Sequence, residues 1–223
     1  CRVSPGAASK LTISVLPNQK GPRAHCVKFD PNGKFLYTVD LGIDQIITYP
    51  VSASGVGEAT SRFALDPGDG PRHFIFDPTR DLAYVVNELG SSVVSMRIDH
   101  NTGELTRIDK KGTLPEGFEG DNYCADIHIS SDGKFLYASN RGHNSLAIFS
   151  VGDQGELEKI GVESVQGEWP RNFTLSPDEK YVLVANQNTD NITVFNRNTE
   201  TGALTFTGNQ YQLSKPVALK FFD

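Results

Sequence analysis

From Gly70 to Asp99 the chain reads GPRHFIFDPTRDLAYVVNELGSSVVSMRID, with apolar and polar residues alternating in short runs between turn-forming residues. The pattern predicts a strand over His73–Asp77, a turn at Pro78–Asp81 and a second strand over Leu82–Asn87. A Gly-containing turn and a third strand over Val93–Ile98 follow. The same grammar recurs as FDPNGKFLYTVDLG (Phe29–Gly42), ISSDGKFLYASNRG (Ile129–Gly142) and LSPDEKYVLVANQN (Leu175–Asn188). Anchored on the turn, the copies fall at Pro31, Pro78, Ser131 and Pro177, at intervals of 47, 53 and 46 residues. Four short strands repeated at such a period predict the blades of a β-propeller. No stretch sustains a helical period, so the expected class is all-β, with four-stranded antiparallel blades.

The repeats place blades at about 25–67, 72–114, 125–165 and 171–211. A last inner strand is expected over Pro216–Phe222, 46 residues after the matching PRNFTLS. Before the first blade, LTISVL (Leu11–Leu16) reads as the outer strand of a further one. The loop Pro115–Tyr123 accounts for the long 53-residue interval. Four blades with a stray strand at either end would leave open sheet edges, whereas propellers close by sharing a blade between the chain ends. With Cys1 and no Met at the start, the expectation is a chain lacking N-terminal blades rather than a small four- or five-bladed ring.

Composition narrows the partners. The formal net charge is −6 and no segment concentrates Lys or Arg. Nucleic acid and anionic membrane both demand a basic footprint, so neither is an expected partner. No apolar run approaches the roughly 18 residues of a membrane span. Cys1, Cys26 and Cys124 are odd in number and lack metal spacing. The latter two fall near strand starts, where a free thiol acts as a small hydrophobe, pointing to a reducing, cytoplasmic compartment. The sequons at Asn172 and Asn191 lie within expected strands and read as chance matches.

Comparing the repeats with one another separates scaffold from chemistry. Asp40, Asn87, Asn140 and Asn186 form a uniform column at the end of the second strand, where Asx side chains cap turns. The next residue varies: Leu41, Glu88, Arg141, Gln187. Near the start of the first strand stand His25, Arg72, Ala125 and Arg171, followed by Cys26, His73, Asp126 and Asn172. In a propeller the start of the first strand and the end of the second share one mouth of the channel. His25, Arg72, His73, Glu88, Asp126, Arg141, His143 and Arg171 are therefore expected to ring one cleft. His128 is expected to point away, and His100 to sit exposed in a hairpin turn. No HExxH, HxH, GxSxG or phosphate-loop pattern is present, so neither a metal nor a serine nucleophile is expected.

The segments GPRHFIFDP, VNELGSSV, ASNRGHNSLAIF, WPRNFTLSP and VANQNTDNITVF resemble the seven-bladed propeller lactonases. That family includes the propeller-type 6-phosphogluconolactonases and the carboxymuconate lactonising enzymes. The likeness runs from about Gly21 to Asp223, and the string Asn140–His143 after Asn87–Leu89 is its most specific part. It implies that about three blades are absent. It also implies a metal-independent, cofactor-free site built from His25, Arg72, Glu88 and Arg141, acting on a small anionic lactone such as 6-phosphogluconolactone. Arg171, His73, Asp126 and His143 are expected to help bind the substrate. Glu88 is the expected base and His25 the proton donor, with the reverse open. Muconate cycloisomerisation at the same ring and a non-catalytic binding scaffold are the rival readings.

Overall fold

A computed structural model describes residues 21–222. These residues form four antiparallel sheets in chain order. The first sheet contains β1 (Ala24–Phe29), β2 (Phe35–Asp40), β3 (Gln45–Ser52), the two-residue β4 (Gly55–Val56) and β5 (Ser61–Ala64), which pairs with β3 as the outer strand. The second runs β6 (Pro71–Phe76), β7 (Leu82–Asn87), β8 (Ser92–Ile98) and β9 (Leu105–Gly112). The third holds β10 (Tyr123–Ile129), β11 (Phe135–Arg141), β12 (Ser145–Val151) and β13 (Leu157–Ser164). The fourth holds β14 (Pro170–Leu175), β15 (Tyr181–Asn186), β16 (Asn191–Arg197) and β17 (Leu204–Gln212). Each sheet is one up-and-down blade, its strands laddered in chain order.

The core lies between blades. Tyr37, Val39, Phe74, Val85 and Met96 fill the gap between blades one and two. Tyr84, Val86, Leu136, Ala138 and Phe149 fill the next, and Tyr137, Ile148, Phe173, Val184 and Phe195 the last. A middle strand therefore buries both faces, which is why β7 and β11 read as nearly unbroken apolar runs. Neighbouring blades also interlock at a glycine. Gly103, in the turn between β8 and β9 with φ +74°, offers its carbonyl to the Tyr37 hydroxyl at 3.0 Å and lies against Phe35 of blade one. Gly202 repeats this between blades three and four, accepting from Tyr137 at 2.8 Å beside Phe135.

The Asx column is scaffold. Asn87 donates to Ser92 Oγ and Asn140 to Ser145 Oγ, while Asn186 donates to Thr193 Oγ1, each across its own hairpin. Asp40 accepts from the backbone N–H of Arg23 and Gly42. One expectation changes. Pro216–Phe222 forms no strand. It runs beside β14 with the Leu219 N–H donating to Asn172 Oδ1 at 2.6 Å, and a strand needs a laddered partner that no described residue supplies. The strand expected at Leu11–Leu16 lies outside the described residues.

Candidate active site

The first strand of every blade begins with a break in register. The ladder slips between Ala24 and Cys26, between Pro71 and His73, between Cys124 and Ile127, and between Pro170 and Asn172. The residues caught in these bulges are His25, Arg72, Ala125–Asp126 and Arg171. A bulge inserts an unpaired residue and re-aims its side chain. The variable column therefore converges for a backbone reason. Four bulges turn those side chains toward one face of the blades.

There His25, Arg72 and Arg171 line a cavity of about 260 Å³ with Arg23, Leu41, Glu88 and Arg141. Glu88, just past β7, holds the arrangement together: its Oε2 stands 2.8 Å from Arg72 Nε and 3.0 Å from Arg141 Nη2. The Arg72 contact is one of charge only, because Nε does not aim its hydrogen at the carboxylate and finds no acceptor. Both guanidinium groups are buried, Arg72 3% and Arg141 5% exposed. Backbone carbonyls fix them: Arg72 Nη1 donates to Ala125 O at 2.6 Å, and Arg141 donates to Tyr123 O and Cys124 O. Burial, then the neighbouring Arg141, holds the Arg72 guanidinium down to about 10, which still leaves it charged at neutral pH. Arg171 is half-buried, with one long 3.4 Å bond to Gln187, and Arg23 is exposed at the rim. Four arginines against one glutamate leave the lining with a formal charge of +3, suited to an anion. Among the described residues no three His, Cys, Asp or Glu side chains converge as metal ligands would.

His25 is solvent-exposed at the cavity yet partly desolvated by its neighbours. That partial burial, followed by the positive field of Arg72 and by His73, pushes its pKa from 6.5 down to about 4. At neutral pH His25 is an uncharged base. Its ring centroid lies 5.3 Å from that of His73.

His73 and Asp126 hold the site rather than open into it. Arg72 Nη1 is 3.1 Å from His73 Nε2, and an arginine has only hydrogens to offer. The ring proton therefore sits on Nδ1 and is donated to Asp126 Oδ1 at 2.7 Å. Asp126 is 4% exposed, and both its oxygens are taken. Oδ1 also accepts the Ile127 N–H, while Oδ2 faces His128 Nε2 at 3.1 Å, the Phe173 N–H at 3.3 Å and the Asn172 amide. Burial opposes ionisation of Asp126, but hydrogen bonds from His128 and His73 overcome it and hold its pKa well below the usual carboxylate range. The carboxylate thus ties blades two, three and four at the cavity wall.

Four expectations are corrected here. Asp126 has no free oxygen for a substrate. His128, expected to point away, is a partner of Asp126, because residues two apart on β10 share a face. His143 lies outside the cavity lining: its Nδ1 is 2.8 Å from the buried Ser145 Oγ and its ring stands edge-on to Phe118 at 4.8 Å. His100 is half-buried against Asp81 at 2.8 Å rather than free in solvent. Arg23 was missed, although Gly21–Arg23 repeats the triplet Gly70–Arg72.

Successive antiparallel four-stranded blades with four arginines lining a cavity at one face define a β-propeller whose lining is positively charged. Comparison narrows this: the profile of "Lactonase, 7-bladed beta-propeller" matches residues 7–221, and the chain belongs to that family. A 6-phosphogluconolactonase of Bacillus subtilis is 36% identical over 204 residues, covering 91% of this chain and 58% of that protein. Among solved structures, a periplasmic gluconolactonase of Pseudomonas aeruginosa superposes with a TM-score of 0.88 at 33% identity, over 94% of this chain and 59% of that one. A Lactobacillus plantarum protein superposes at 0.86 with 37% identity, over 91% and 59%. The chain thus spans about three fifths of the length of these relatives. Among the described residues no helix is long and apolar enough to cross a membrane.

Proposed function

We propose that the protein is a lactonase acting on an anionic sugar lactone, with 6-phosphogluconolactone as the first substrate to test. The observation that carries this reading is the convergence of buried Arg72 and Arg141 on one Glu88 oxygen, beside a neutral His25. Opening a lactone needs a base to activate water and a positive site for the oxyanion that forms at the carbonyl. Arg72 and Arg141 are rigid, buried and charged, and they supply that site. Glu88 Oε2 holds the two cations side by side and cancels part of their repulsion.

His25 takes the proton from the attacking water. This reverses the assignment expected from sequence, for a physical reason: a ring neutral above about pH 4 has no proton to give in the resting enzyme, whereas Glu88 already commits an oxygen to two cations. Once charged, His25 returns the proton to the departing ring oxygen. At the rim, Arg171 and Arg23 hold the substrate's anionic substituent. The names of the relatives support both a phosphorylated and an unphosphorylated gluconolactone; the formal +3 of the lining favours the phosphorylated one.

The test is hydrolysis of 6-phosphogluconolactone by the whole protein against the spontaneous rate at slightly acid pH, with His25→Ala and Arg141→Gln alongside. Acceleration lost in both variants supports the reading. A rate equal to the spontaneous one removes it and leaves other lactones, muconates or a binding role.

A further inference from the structure

We infer that Trp169 is a positioning residue for this site, holding the Arg141 guanidinium so that its free edge faces the cavity. The inference rests on the lactonase reading, which gives Arg141 its task. Three observations carry it.

The first is contact. The Arg141 guanidinium carbon lies 5.4 Å from the centroid of the Trp169 ring, the distance of a cation–π pair. Glu88 and the carbonyls of Tyr123 and Cys124 hold other edges of the same group. The indole packs against the face of the group, while the Tyr123 ring lies 6.1 Å from the indole.

The second is backbone conformation. Trp169 has φ +64°, immediately before Pro170. A bulky residue in the left-handed region is an outlier that persists only where its surroundings over-determine it, and such strain gathers at functional sites.

The third is how firmly the surroundings do so. The Trp169 N–H donates to Asn144 Oδ1 at 2.9 Å, and its carbonyl accepts the Gln187 N–H at 3.1 Å. Glu168 accepts from the Asn188 N–H and donates its own to Thr189 Oγ1. Gly167 lies so close to Asn186 that a Cβ would collide with it. The connection between blades three and four is locked from both sides, and its product is an indole placed on a buried arginine of the site. Neither the hairpins nor the interblade core needs that indole, which is only partly buried.

Trp169 is the only tryptophan among the 223 residues, so it also reports on Arg141. The experiment measures kcat and KM for 6-phosphogluconolactone in the whole protein and in its Trp169→Phe and Trp169→Leu variants. Emission attributable to Trp169, taken as wild type minus Trp169→Phe, is titrated with the product 6-phosphogluconate. An aromatic face is retained in the Phe variant and lost in the Leu variant. Trp169→Leu should lower kcat roughly tenfold with KM nearly unchanged, and Trp169→Phe should recover most of it. Product carboxylate bound on Arg141 should change the Trp169 emission to saturation. A Leu variant with wild-type kcat overturns the inference, as does emission unmoved at product concentrations that calorimetry shows to fill the site. Should the Leu variant fail to fold, the Phe variant and the emission titration still decide. Wild type without lactonase activity brings down the functional reading and this inference together; active wild type indifferent to Trp169 brings down the inference alone.

Discussion

Glu88 Oε2 stands 3.0 Å from Arg141 Nη2, and this contact joins blade two to blade three at the buried end of the cavity. The same oxygen faces Arg72, so one carboxylate governs the spacing of both cations. Replacing it with an amide keeps the shape and removes the charge that holds the pair together. Glu88→Gln should lower kcat/KM for the lactone about 100-fold, the scale of losing one oxyanion donor. Steady-state kinetics checks this; a loss below threefold would mean the arginines keep their places without the carboxylate.

The pH profile should identify the base. His25 is neutral above about pH 4, so the rate corrected for spontaneous hydrolysis should stay flat from neutral pH to about 5. Below about 4 it should fall tenfold per pH unit as the ring is protonated. Arg72→Gln removes one of the influences that lower this pKa, so the ring should titrate at higher pH, as read by its proton NMR signal. Stability has the matching sign. The folded pKa lies below the ordinary 6.5, so the unfolded chain takes up the proton first. The contribution is intact above about 6.5 and declines as pH falls towards 4.

Asp126 should matter more to stability than any rim residue. It receives hydrogen bonds from elements of three blades, and its removal strands buried donors. Asp126→Ala should cost about 3 kcal/mol, or roughly 10 °C in Tm for a chain of this size. Its folded pKa is depressed, so the stabilisation is present above the ordinary carboxylate range and lost as pH falls below it. Thermal melts at neutral and acid pH test both statements. The gap between variant and wild type should narrow in acid.

The rim arginines should separate binding from turnover. Arg171→Gln and Arg23→Gln should each raise KM for 6-phosphogluconolactone about fivefold to twentyfold with kcat little changed, as expected for an anion contact made alike in ground and transition states. With unphosphorylated gluconolactone the same variants should behave like wild type. Equal losses on both substrates would place the phosphate elsewhere.

Much of this site was legible in one sequence because the chain repeats itself. The repeats provide the alignment: His25, Arg72 and Arg171 share a position, as do Glu88 and Arg141, and all five meet in the cavity lining. Arg23 was readable too, in the second copy of Gly-Pro-Arg. His128 could have been paired with Asp126 from strand alternation alone. His143 misled because Asn140–His143 continues the motif past the strand end, and the chain turns there, sending the ring to Ser145 and Phe118.

What the sequence determined by itself was the run of strands within the four blades, the blade frame and the residue types at the mouth. These follow from the period of two along strands, from turn chemistry at Gly, Asn and Asp, and from the recurrence of both at about fifty residues. Tertiary structure decided the rest. The bulge that turns His25, Arg72 and Arg171 into the cavity is a slip between paired strands, and no single strand encodes it. The neutrality of His25 depends on burial and on Arg72 from the next blade, and the proton on His73 Nδ1 is placed by Arg72 on one side and Asp126 on the other. Trp169 meets Arg141 only because a locked connection carries it there. Local pattern selects strands and turns through short-range sterics, whereas charge state, tautomer and side-chain aim are set by neighbours distant in sequence.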